Sequence, residues 1–219
     1  HGAYAGVGVA FFFGFAPFLG ALGAAVILGL LIAFFSFEKN ERFDSLIGAI
    51  WAFGMALGIV FSELSDGYTS DLMSYLFGSI LAVSKADLAL MTGFDLLFLL
   101  FAILLYPRLC AFSFDSEFAR LRGVGVKPLY YTLCVLIALC VVMSIQIVGL
   151  VLVIALLTIA PSIAERFAKS LAQMMIYSAL FAFVFCVLGL VLAFYLNLSS
   201  GASIIIIAAL VFFMAKFKK

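Results

Sequence analysis

Charge is scarce in this sequence: 11% of its 219 residues are Asp, Glu, Lys or Arg, against about 25% in a soluble domain. That shortage excludes a soluble catalytic domain. Net charge is +1 with no block of like charge, which excludes nucleic acid as a partner and a basic arm lying on a membrane surface. Cys110, Cys134, Cys140 and Cys186 form no CxxC pair and sit mostly in apolar runs. They read as small core hydrophobes rather than a disulfide framework or thiolate metal site. HExxH, GxSxG, Walker A and paired catalytic carboxylates are all missing, so the chain is not an enzyme and cannot itself hydrolyse ATP.

What fills the chain is hydrophobic sequence, 68% of all residues. A membrane crossing needs roughly 20 mostly apolar residues to cover about 30 Å of hydrocarbon. The expected architecture is all-α, a polytopic transmembrane helix bundle forming a single domain over residues 1–219. Seven crossings are expected, at 18–37, 45–62, 88–106, 129–145, 148–163, 172–195 and 203–215. The span from 88 is expected to stop at Pro107, and the run 129–164 is too long for one crossing and is split near Ser144–Gly149. Residues 72–84 are too few to cross and read as a re-entrant or interfacial helix. Residues 2–15 are an apolar remnant turning at Ala16-Pro17, and with His1 in place of Met the chain reads as truncated at its amino end.

If the crossings alternate, the segments 38–44, 107–128, 164–171 and 216–219 share one side. That side holds eleven of the twelve Lys and Arg residues, leaving Lys85 opposite, and is therefore cytoplasmic. Glu63, Asp66, Asp71 and Asp87 face outward, either as solvated loop charges or as attraction for a cation or a basic binding protein. Gly2/Gly6 and Gly54/Gly58 have the GxxxG spacing that lets helix backbones approach closely.

Within the cytoplasmic segment, Asp115 can cap a short helix, and Glu117 complements its positive start. Arg120 and Arg122 complement its end, and Gly123 supplies a left-handed stop. Phe114, Phe118 and Leu121 fall on one face at spacings of four and three. Such a helix either packs on its own bundle or docks a soluble partner.

Several stretches resemble the permease subunits of ATP-binding cassette importers for divalent metals (zinc, manganese and iron), which are distantly similar to cobalamin and siderophore permeases. They are HGAYAGV at 1–7, FDSLIG at 43–48, YLFGSILAVSKADL at 75–88 and SFDSEFARLRGV at 113–124, followed by VGLVLVIALLTIAPSIAER at 148–166 and YLNLSSGASII at 195–205. Ala5 and Ser199 stand where the family pattern has proline, and the family's residues just before the histidine, an acidic one among them, are not in this sequence. The resemblance implies a multi-pass protein of the bacterial or archaeal plasma (inner) membrane that works as a homodimer. It implies a cytoplasmic ATPase bound at a coupling helix formed by Asp115, Glu117, Phe118, Arg120 and Gly123, and an extracytoplasmic metal-binding protein. No cofactor is expected; the divalent metal is the substrate, moved by alternating access.

His1, the only histidine, would lie on the translocation route if it matches the family's, and is otherwise a terminal residue without a role. Asp95 sits about seven residues into its span, near 10 Å deep, with Met91 one turn before it. It is either a contact on the route or a carboxylate satisfied within the bundle or at the outer interface. Gln146 stands beside the expected break between two half-spans, where unwound backbone can line a cavity. The competing reading is an autonomous secondary transporter or ion channel coupled through Asp95.

Overall fold

The structure, a computed structural model, describes residues 1–37, 43–65, 78, 80 and 83–217. Among these the chain is all helix: α1 (Tyr4–Phe13), α2 (Pro17–Phe37), α3 (Phe43–Glu63), α4 (Lys85–Phe114), α5 (Ser116–Leu121), α6 (Val126–Val148), α7 (Leu150–Ala164), α8 (Leu171–Leu196) and α9 (Ser200–Phe217). Six of them, α2, α3, α4, α6, α8 and α9, are long and apolar enough to cross a membrane. The remaining expected crossing, 148–163, corresponds to α7, whose 15 residues span only about 22 Å. The expected re-entrant helix at 72–84 falls mainly outside the described residues.

The chain divides into two compact units. One comprises His1–Asp71 and Ser84–Met143, the other Leu72–Val83 and Ser144–Lys219. In the first, α1 turns at Gly14, which is left-handed at φ 73°, and α2 begins on Pro17, where the missing N–H costs nothing. Both GxxxG pairs are real contacts: Gly6 meets Gly20 backbone to backbone, Gly8 meets Gly58, and a Cβ on Gly54 would stand 2.6 Å from the Gly2 Cα. These pairings run α1 parallel to α3 and antiparallel to α2. The buried core is correspondingly small, Ala3, Ala21, Ala25 and Val142, with Val7, Leu22 and Ala138 against it.

Pro107 does not end its helix. α4 runs through it for 30 residues, about 45 Å, because a proline removes one intrahelical hydrogen bond while the flanking residues keep the remainder. It opens on a capping box in which the Ser84 hydroxyl accepts from the Asp87 N–H at 3.1 Å and the Ser84 N–H donates to the Asp87 carboxylate at 3.1 Å. Asp87 thus has a structural task. No residue of α4 is buried.

The second unit packs larger side chains. Leu152, Ile163, Phe185 and Ile204 meet around Ala160 and Ala208. The α6–α7 break falls at Gly149, with φ 80° and ψ 159°, so Gln146 remains inside α6 and exposed rather than on unwound backbone. Gly78, also left-handed at φ 64°, lies against the Gly149 N and the Val148 carbonyl carbon, leaving no room for a side chain. The Arg166 guanidinium donates to the Ala215 carbonyl, so the end of α7 and the end of α9 share one side, as the charge distribution requires. None of the four cysteines is in a disulfide, and all are half-buried.

Candidate functional site

Two places in the first unit carry the residues singled out by the sequence. At the first, Asp115, in extended backbone at φ −156°, joins α4 to α5. Its carboxylate accepts from the Glu117 N–H at 2.9 Å and the Phe118 N–H at 3.0 Å, satisfying two donors that a helix start leaves open. At the far end Gly123, at φ 77°, donates to the Arg120 carbonyl, and Val124 donates to that of Ala119, the paired bonds of a Schellman stop. A six-residue helix is too short to persist by propensity, and these bonds at its two ends hold it.

Ala119 is fully buried, whereas Phe118 is 49% and Leu121 87% exposed. The Arg122 guanidinium lies 4.8 Å from the centre of the Phe118 ring, so cation and apolar face are presented together. Phe114, expected on the same short helix, belongs instead to the last turn of α4, because the chain bends only at Asp115. It is 83% exposed, and the apolar face therefore crosses a helix junction. Glu117 and Arg120 point to solvent.

The second place is the start of α1. The His1 ring meets the edge of Trp51 at 5.1 Å, and its Nδ1 is buried with no hydrogen-bond partner among the described residues. Trp51 is the only tryptophan, and its placement beside the only histidine is a contact that sequence spacing could not reveal. Ser62, 2% exposed on α3, likewise has an unpartnered hydroxyl, a residue that sequence reading passed over because serine in an apolar helix gives no pattern.

Asp95 and Met91 lie one turn apart on α4, Asp95 exposed and Met91 half-buried. Among the described residues no three His, Cys, Asp or Glu side chains gather into a group that could hold a metal ion.

Comparison with known proteins places these features in context. The ABC 3 transport family matches residues 1–219. An uncharacterised membrane protein of Synechocystis is 43% identical over 98% of this chain and 76% of its own. A manganese transport system membrane protein of Halalkalibacterium halodurans is 35% identical over 99% of this chain and 74% of its own. The solved structure of PsaBC from Streptococcus pneumoniae in complex with Fab superposes on 100% of this chain and 78% of the matched one, with TM-score 0.85 and 31% sequence identity. The chain belongs to the ABC 3 transport family, and is the membrane-spanning permease subunit of a metal importer rather than the ATPase that drives it.

Proposed function

We propose that the chain carries manganese across the plasma membrane as one of two permease copies that enclose a central route, with a cytoplasmic ATPase bound at α5 and an extracytoplasmic binding protein delivering the ion. Manganese is named for relatives from Halalkalibacterium halodurans and Streptococcus gordonii, the latter a manganese import system permease 31% identical over 99% of this chain. The observation that carries the ATPase contact is α5 itself: a helix capped at both ends, with Phe118 and Leu121 left uncovered, one residue beyond a 30-residue helix. In this reading Asp115 and Gly123 fix the ends of α5, Phe118 and Leu121 enter an apolar groove of the ATPase, and Glu117 and Arg120 form its polar rim. Closure of the ATPases moves α5, and α4 follows because only Asp115 separates them. His1 offers the passing ion an imidazole whose Nδ1 has no other partner among the described residues.

The test is manganese uptake into proteoliposomes containing the permease and its ATPase, with and without ATP, and with zinc or ferrous iron as competitor. ATP-dependent uptake that Phe118→Asp abolishes together with ATPase co-purification supports the reading. Uptake indifferent to ATP would replace it with an autonomous transporter.

A further inference from the structure

The geometry of α4 points to a second cargo contact: we propose that Asp95 stands on the wall of the water-filled route between the two permease copies and touches the divalent cation in transit, an inference that rests on the transport reading above. Of the eleven acidic residues, Asp95 is the one placed well inside an apolar span. It lies ten residues beyond Lys85, about 15 Å along the axis, and is exposed. Its carboxylate makes no hydrogen bond or ion pair with any described residue. Lys85 is too far along the helix to neutralise it, and the remaining cationic side chains belong to the cytoplasmic segments.

A carboxylate at that depth cannot face hydrocarbon without water or a cation. Among the described residues nothing buries α4, and Asp95 is exposed. The neighbouring Thr92 hydroxyl donates its proton to the Leu88 carbonyl at 2.8 Å, so that proton is not shared with Asp95. A hard oxygen donor suits manganese, and Met91 one turn earlier adds a thioether that suits softer ions, so this turn can bias the choice between them. Leu97, roughly on the opposite side of the helix and 48% exposed, is the lipid-facing counterpart.

The test uses the permease assembled with its ATPase in proteoliposomes, with Cys110, Cys134, Cys140 and Cys186 replaced by Ala and Asp95→Cys or Leu97→Cys added. A water-soluble cationic thiosulfonate should modify position 95 about tenfold faster than 97, and manganese should slow that modification. Asp95→Asn should raise the KM for manganese about tenfold with ATPase association unchanged, and Asp95→Glu should restore it. Equal, slow modification at both positions, or an unchanged KM in Asp95→Asn, would overturn the proposal. If Asp95→Cys does not assemble, the Asn and Glu pair decides alone. Absence of ATP-driven uptake by the unaltered permease would sink the transport reading instead, and labelling at 95 against 97 would still report whether the face is wet.

Discussion

The two units of this chain weight helix packing differently, although the second also has close glycines in Gly78 against Gly149 and Gly189 against Ile204. In α1–α3 the contacts are glycine on glycine and alanine on alanine, with Gly6 against Gly20 and Ala3, Ala21 and Ala25 buried. In α7–α9 they are Leu152, Ile163, Phe185 and Ile204 filling one another's gaps. Lipid tails are as apolar as leucine, so no hydrophobic drive brings helices together in a bilayer and close van der Waals contact must do it. Backbones reach that contact when side chains are nearly absent, and bulky chains reach it when they interlock. The first solution admits no added atom; the second tolerates subtraction.

Gly6→Leu should show the largest effect, because a side chain there would have to occupy the space of the Gly20 carbonyl. Loss of monodisperse protein on size-exclusion chromatography is the expected result. Gly23→Ala, with nothing within 4 Å of its added methyl, should leave the profile unchanged or slightly improved. Equal tolerance at both positions would erase the contrast between close and open glycines.

Phe185→Ala should cost about 3 kcal/mol of stability, as a cavity among large side chains generally does, measured by reversible unfolding in mixed micelles. The protein should still assemble. A collapse as complete as that of Gly6→Leu would mean that the second unit also depends on exact fit.

Asp115→Ala should cost about 1 kcal/mol, confined to α5, where it frees the Glu117 and Phe118 amides. Faster hydrogen exchange at those two amides, with α1–α3 and α7–α9 unaffected, would check it.

The smallest effects on stability should come from single cysteines that report sidedness. In intact cells Arg122→Cys should resist a membrane-impermeant reagent while Ser200→Cys reacts, since the Lys and Arg bias places them on opposite sides. Reaction at position 122 from outside would invert the topology.

The span pattern was legible because apolar length is written residue by residue, and the ends of α5 were legible because Asp115 and Gly123 act on their immediate neighbours. Pro107 misled because a local rule for ending helices gave way to the continuity of α4. The split of the long run was read within a few residues; its true position, Gly149, is marked by a left-handed backbone packed against Gly78, a partner some seventy positions away. His1 was singled out by type, but neither Trp51 beside its ring nor its unpartnered Nδ1 follows from spacing.

Composition, acting through the cost of placing polar groups in hydrocarbon, by itself determined that this chain is a helical membrane protein. Capping residues determined where α5 begins and ends, since those bonds span only a few residues. The tertiary structure decided which glycines touch, which serine and histidine are left unsatisfied, and that no residue of α4 is buried, with Asp95 exposed on it. Each of those depends on how helices distant in sequence lie against one another, and side-chain identity along one segment carries no record of that.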